Sequence, residues 1–158
     1  MSNFIKPFLI LFLIVPATTL GYEFSAMTLN VDNLFDTLDD IKKDDKAYLP
    51  IEFKQSEAHK KSCNRIRVNS WKNECLYLDW NEETKNAKLK NIANSIISYG
   101  QNGPDIIALQ EVENNNILNQ LLDLLRPYGY IDSVLIEGKD YRGIDTALIS
   151  RFKICLLY

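Results

Sequence analysis

The stretch PDIIALQEVEN, residues 104–114, is the part of the chain that decides the fold. Its apolar run, residues 105–110, is short and follows a Gly-Pro turn, which is typical of a buried β-strand. Three polar residues close the strand: Gln110, Glu111 and Glu113. Ligands of α/β proteins bind at the carboxyl ends of the strands. The stretch therefore predicts a buried strand that ends in a candidate ligand site.

Strands and helices alternate on both sides of this stretch. Upstream, residues 24–31 alternate as a strand does, and residues 81–99 carry the apolar spacing of an amphipathic helix. Downstream, residues 114–125 predict a second helix, and residues 130–136 and 146–150 predict two further strands. The order β, long loop, α, β, α, β, β predicts a layered α/β domain.

Residues 37–80 lack clear periodicity and are rich in charge. Such a stretch is typical of a surface insertion, and we expect an irregular loop here. Its aromatic residues suggest that its end packs back on the domain: Trp71, Tyr77 and Trp80.

Residues 1–21 have the layout of a secretory signal peptide: a short basic head, the apolar run of residues 8–15, and small or polar residues up to Gly21. The run is shorter than the roughly 20 residues that a membrane span needs. We expect a secreted or periplasmic protein without a stable membrane anchor, whose domain spans residues 22–158. A buried N-terminal helix and an uncleaved anchor are the alternatives.

Export would place the cysteines in an oxidising compartment. Cys63 and Cys75 lie in one polar segment, and we expect them to form a disulfide that closes a short loop. Such a bridge would stabilise the fold by roughly 3 kcal/mol. Cys155 would then remain a free thiol, whereas three unpaired thiols are the alternative.

The composition is that of a globular domain with little net charge. The 158 residues are 46% hydrophobic and 25% charged, and 18 Lys and Arg against 21 Asp and Glu give a net charge of −3. One ordinary domain fits this length. A chain without a basic excess is not suited to nonspecific coating of nucleic acid, so contact with phosphates would need a local patch or a bound cation.

Polar residues close the first strand as well as the central one. Asn30 and Asp32 follow the first, and Glu111 follows the second. A carboxylate held there by a buried strand suits a hard cation such as Mg²⁺. Alternatively, Glu111 caps the following helix and Asn30 satisfies the backbone of a turn. Spacing alone leaves both readings open.

The local sequences resemble a known family. LNVDNLFDT, residues 29–37, resembles the first-strand motif of the endonuclease/exonuclease/phosphatase superfamily, the DNase I-like proteins. PDIIALQEVEN resembles the second motif of that superfamily, in which LQE carries the metal-binding glutamate. YRGIDTALISR, residues 141–151, is similar to the following strand in its secreted bacterial branch. The resemblance covers about residues 24–152.

This resemblance implies a set of site residues. Glu111 matches the glutamate that coordinates Mg²⁺ or Mn²⁺, and Asn30 matches the asparagine that supports the metal and the attacked phosphate. Asp32 matches an acidic position that only some relatives use. Arg142 and Asp145 match a stretch with roles in substrate contact and loop structure. We expect the Glu111 carboxylate and the Asn30 side chain to lie roughly 4–7 Å apart, which leaves room for an ion.

The family fold is a four-layer α/β/β/α sandwich of two similar halves, and the chain resembles only the first half. The second half carries a catalytic histidine, a GDxN-type segment and a closing Ser-Asp-His motif, and none of these occurs here. The single histidine, His59, lies in a charged run and is expected to be inert surface. We therefore expect an incomplete, truncated domain that is inactive alone and that pairs with a missing C-terminal half or self-associates.

For the parent enzyme, the resemblance implies metal-dependent hydrolysis of phosphodiesters, with nucleic acid as the substrate of a secreted nuclease. Two alternatives stay open: a noncatalytic secreted binding module, and a phosphatase or sphingomyelinase-type esterase on the same fold, since a fold does not determine the substrate.

Overall fold

The computed structural model describes Gly21 and residues 23–155, so the predicted signal peptide lies almost wholly outside the described residues. The elements follow in the order β1 Ala26–Leu34, α1 Glu57–Cys63, α2 Asn69–Tyr77, α3 Glu82–Ile97, β2 Ile106–Val112, α4 Asn115–Leu125, β3 Asp132–Ile136 and β4 Asp145–Ser150. Short 3-10 turns lie at Lys46–Tyr48, Ile51–Lys54 and Arg126–Tyr128. The predicted α/β class is confirmed, as are the helices on either side of β2. Within the described residues no helix is long and apolar enough to cross a bilayer.

The four strands form one mixed sheet in the order β1-β2-β4-β3. β1 runs parallel to β2, while β4 runs antiparallel to both β2 and β3. Because β1 and β2 are parallel neighbours, their carboxyl ends lie side by side. The polar residues that follow the two strands are thereby brought to one edge of the sheet.

One face of the sheet is covered by α3 and α4. Ile107 and Leu109 of β2 point to this face and are fully buried, together with Leu118 and Leu121 of α4. Burying each such side chain is worth about 1.5–3 kcal/mol. Asparagine caps begin both helices: the Asn81 side chain accepts from the Thr84 backbone N–H, and Asn114 caps α4 in the same way.

The opposite face of the sheet carries both polar and apolar side chains. Thr28, Asn30 and Thr146 are exposed there, and the Gln110 amide donates to the Thr28 hydroxyl at 2.7 Å. Ile106 of β2 lies on the same side, as strand alternation requires. This face is therefore mixed in character rather than continuously apolar.

The insertion of residues 37–80 is more ordered than the sequence predicted. It contains α1 and α2, which a disulfide between Cys63 and Cys75 joins with a Cα–Cα distance of 5.6 Å, and Cys155 is free and exposed. Both helices are short and polar, so periodicity did not reveal them. The expected disulfide is confirmed, and it is compatible with an extracellular location.

A small second core anchors the insertion to the end of the sheet. Phe35, which follows β1, stacks on Tyr48 with ring centroids 4.2 Å apart. The buried Trp80 indole donates to the Asp36 backbone carbonyl at 2.9 Å. Of the three aromatic residues expected to pack back, only Trp80 is buried, whereas the side chains of Trp71 and Tyr77 on α2 are 61% and 71% exposed.

Candidate metal centre

Irregular pairing at the end of β1 and β2 builds the site. The regular register ends at the Asn30–Gln110 pair and resumes at Leu34–Val112. β4 likewise pairs with Gln110 and then with Val112, so Glu111 is passed over by both neighbouring strands. Such a bulge re-aims a side chain at the edge of a sheet.

Three residues at this bulge have left-handed backbone conformations. The φ angles are +68° at Glu111, +54° at Asp32 and +61° at Asn33. Outside glycine this conformation costs about 1–2 kcal/mol per residue and is concentrated at functional sites. The conformation turns the Glu111 carboxylate towards the turn that follows Asn30.

The Glu111 carboxylate is held by two hydrogen bonds from β1 and its turn. The Asn30 side-chain amide donates to Oε1 at 3.0 Å, and the Asn33 backbone N–H donates to Oε2 at 3.0 Å. The side-chain oxygen of Asn30, Oδ1, accepts a hydrogen bond from the Asp32 backbone N–H at 2.7 Å. The structure brings Glu111 and Asn30 into contact, as predicted, but the expected separation of roughly 4–7 Å is wrong, because the Asn30 amide donates directly to the carboxylate at 3.0 Å.

The donor set fits a weakly held divalent cation. An ionised carboxylate has about four acceptor sites, so Glu111 keeps lone pairs for a metal after accepting these two bonds. Asp32 contributes a second, exposed carboxylate on the same turn. Among the described residues, no group of three His, Cys, Asp or Glu ligand atoms closes around Glu111. Mg²⁺ suits such an open site, because it is often bound by one or two carboxylates and completed by water and substrate.

Two cationic side chains flank the carboxylate. Lys88 of α3 donates to the Asp32 backbone carbonyl, and the Arg142 guanidinium lies 3.4 Å from the Asn33 side-chain oxygen. Burial lowers the pKa of Lys88, while the charges of Asp32 and Glu111 act in the opposite direction. Sequence reasoning missed Lys88, because only the packing of α3 against β1 brings it to the site.

Glu113, two residues further along, has a structural role. The residue is 8% exposed, and its carboxylate accepts a hydrogen bond from the Asp36 backbone N–H at 2.6 Å. This bond joins the end of β2 to the chain that leaves β1. Burial raises the pKa of Glu113 to about 8. Of the two glutamates at the end of β2, Glu111 therefore belongs to the candidate site, while Glu113 is buried and holds the chain that leaves β1.

The two remaining predicted residues, Arg142 and Asp145, differ in their contacts with the candidate metal centre. Arg142 reaches it through Asn33, and its guanidinium also pairs with Asp140 at 3.0 Å. The Asp145 carboxylate is turned away and accepts from the Gly138 backbone N–H at 2.6 Å, so its contacts support the loop.

His59 does not lie at the carboxylate. Its Nε2 atom is 2.8 Å from the Cys75 carbonyl oxygen and 3.2 Å from the Cys63 sulfur, and the side chain is half-buried. The ring is thus less exposed than a charged surface run predicts, because it lies against the disulfide that joins α1 and α2, and its inertness stays a prediction. No histidine among the described residues serves the metal centre.

Comparison with known proteins agrees with this geometry. The model of the endonuclease/exonuclease/phosphatase family matches residues 69–156, which include Glu111 and Arg142. Asn30 and Asp32 lie outside the matched residues. No curated protein and no solved structure matches the chain significantly. The match spans more than half of the sequence, and the chain belongs to the endonuclease/exonuclease/phosphatase family.

Proposed function

We propose that this chain forms the metal-binding side of a phosphodiesterase site of the nuclease type. The observation that carries the proposal is the Glu111 carboxylate, held at 3.0 Å by Asn30 on a strained bulge at the carboxyl edge of the sheet. Mg²⁺ or Mn²⁺ is the proposed ion. When bound, it would polarise the phosphoryl oxygens and stabilise the leaving oxygen.

The chain's own residues would orient the ion and the phosphate. Asn30 donates to one oxygen of Glu111 and the Asn33 backbone N–H donates to the other, so the orientation of the carboxylate is fixed. Lys88 supplies positive charge beside the carboxylate, where the phosphate of a substrate would lie, while Arg142 is paired with Asp140 and would contribute hydrogen-bond donors. Such preoriented charges stabilise the negative charge that develops in phosphoryl transfer.

A general base is missing from this arrangement. The sequence has one histidine, His59, and its ring contacts the disulfide. Loss of acid–base assistance typically costs about 10² to 10⁴ in rate. We therefore propose that the chain binds metal and substrate but has no appreciable phosphodiesterase activity on its own beyond a slow, metal-dependent residual rate. A base would come from a C-terminal half of the kind that the resemblance implies, which would cover the exposed face of the sheet.

Export remains part of the proposal. The disulfide supports a secreted or periplasmic location, because disulfides persist mainly in oxidising compartments.

Metal binding is the direct test of the site. Mn²⁺ titration of the full chain, followed by electron paramagnetic resonance, should show one weak site that Glu111→Gln abolishes. Asn30→Ala should weaken it at least about tenfold, because it releases the carboxylate. Glu137→Gln, a change at an exposed glutamate, is the matched control and should bind as the wild type does. Equal Mn²⁺ affinity of Glu111→Gln and wild type would refute the metal centre.

Turnover distinguishes the enzyme from the binding module. With Mn²⁺ and a bis-aryl phosphodiester, the wild type should hydrolyse slowly and Glu111→Gln not at all. Metal binding without any turnover would favour the noncatalytic module. Fast turnover would show that a base is present and would contradict the proposed slow reaction.

A further inference from the structure

A cavity of about 340 Å³ lies between the insertion and the turn that precedes β4. Trp71 of α2 and Tyr141 of the turn line it and are 61% and 69% exposed. Its size lies within the range of small-molecule sites, about 300–1,000 Å³. Aromatic side chains are usually covered, so two exposed rings around one cavity indicate a ligand-contacting surface.

The cavity adjoins the metal centre. Asn33 and Arg142 belong to its lining, and the Asn33 backbone N–H donates to Glu111 Oε2 at 3.0 Å. The Arg142 guanidinium lies 3.4 Å from the Asn33 side-chain oxygen. A group bonded to a phosphate at Glu111 would therefore lie at the mouth of this cavity.

The charges of the lining favour a neutral, planar ligand. Two acidic residues, Asp44 and Glu74, balance Lys46 and Arg142. Both cations are already paired: Lys46 with Asp44 at 2.7 Å, and Arg142 with Asp140 at 3.0 Å. A second phosphate would need uncompensated positive charge. An acyl chain would meet four charged groups.

A nucleobase meets all of these conditions. It is uncharged, it offers a π-face to aromatic side chains, and its edge carries hydrogen-bond donors and acceptors for carboxylate and guanidinium groups. A base inside a duplex cannot present its face, because its neighbours in the stack cover it. We propose that this cavity binds one unpaired base beside the scissile phosphate, which makes single-stranded nucleic acid the substrate. This inference rests on the proposed function.

The insertion and the turn are held together around the cavity. The Asp44 backbone N–H donates to the Tyr141 carbonyl at 3.0 Å. Gly143 has a φ of +84°, and a Cβ atom there would lie 3.0 Å from the Lys43 Cγ atom, so glycine permits this close approach. The disulfide fixes α2, and with it Trp71, at Cys75. The cavity is thus formed before a ligand binds.

Binding of a fluorescein-labelled oligothymidylate, measured by anisotropy in EDTA, tests the proposal without cleavage. Trp71→Ala should weaken single-strand binding about 5- to 100-fold, the usual effect of removing one stacking ring. Trp71→Phe should retain most of the affinity because it keeps a ring. Tyr77→Ala is the matched control: Tyr77 is 71% exposed on the same helix and does not line the cavity. It should leave the affinity unchanged, and a duplex of equal length should bind more weakly.

The outcomes separate this inference from the proposed function. Mn²⁺ binding should be unaffected by Trp71→Ala, while Glu111→Gln should lose Mn²⁺ and bind the oligonucleotide in EDTA at least as tightly as the wild type, because it removes a negative charge beside the phosphate. If Mn²⁺ does not bind but the Trp71 dependence holds, the proposed function fails and the base pocket stands. The pocket is overturned if the wild type does not bind the single strand. It is also overturned if Trp71→Ala binds like the wild type or Tyr77→Ala loses as much.

Discussion

The buried Glu113 carboxylate should make the stability of the protein fall as the pH rises. Its pKa is raised from 4.5 to about 8, with burial as the largest cause, although the Asp36 N–H bond opposes the shift. The native state therefore holds a proton on Glu113 in a pH range where the unfolded chain has lost it. Replacement by glutamine removes this titration and keeps an oxygen that can accept from Asp36.

The sign and size of the effect follow from proton linkage. A group with a raised pKa stabilises the fold fully below its unfolded value, and this contribution is lost as the pH rises to the folded value. Asp45, whose pKa burial raises to about 6, acts in the same direction but only at lower pH. Lys54, whose pKa burial lowers to about 8, acts above the window. The change in unfolding free energy between about pH 6 and 8 therefore comes mainly from Glu113. Two pH units at 1.36 kcal/mol each give an upper limit of about 3 kcal/mol for this change.

Urea unfolding at several pH values, followed by the fluorescence of the buried Trp80, measures this directly. The wild type should lose up to about 3 kcal/mol of unfolding free energy between pH 6 and 8, whereas Glu113→Gln should stay nearly level. Asp45→Asn is the control and should keep most of the decline, because burial, and not the Asp45 charge, is the largest cause of the raised pKa of Glu113. A wild-type curve that is flat over this interval, or an equal decline in Glu113→Gln, would refute the reasoning.

Two further predictions concern the backbone around the cavity. Replacing Cys63 and Cys75 together by serine should lower the unfolding free energy by about 3 kcal/mol and abolish its response to a reductant, as urea titrations with and without the reductant would show. Gly143→Ala should lower the unfolding free energy by about 1–2 kcal/mol for its left-handed backbone, and further for the contact with Lys43. Gly100 has a φ of +62°, and a Cβ atom there would have no atom within 4 Å, so Gly100→Ala should lose only the backbone contribution. Equal losses of unfolding free energy in the two alanine variants, measured by thermal unfolding, would show that the contact with Lys43 does not affect stability.

The sequence by itself determined the four strands, the helices α3 and α4, and the principal candidate site residue. The apolar spacing and asparagine caps of α3 and α4 are local signals, and so is the short buried strand that ends at Glu111. The paired motifs around Asn30 and Glu111 predicted the contact of those two residues across 81 positions of the chain. Helices and strands with strong periodicity are readable because the core face recurs at a fixed interval.

The tertiary structure alone decided how the site is built. The bulge at which Glu111 has a φ of +68° arises where the register of three strands shifts. The residue types at that position do not predict such a bulge. Lys88 reaches Asp32 only because α3 packs beside β1, and the Trp71 cavity forms only because α2 is tied down by a disulfide. These features depend on contacts between residues far apart in the chain. Local propensity and spacing carry no information about such contacts, since packing energy is gained only once the elements have come together.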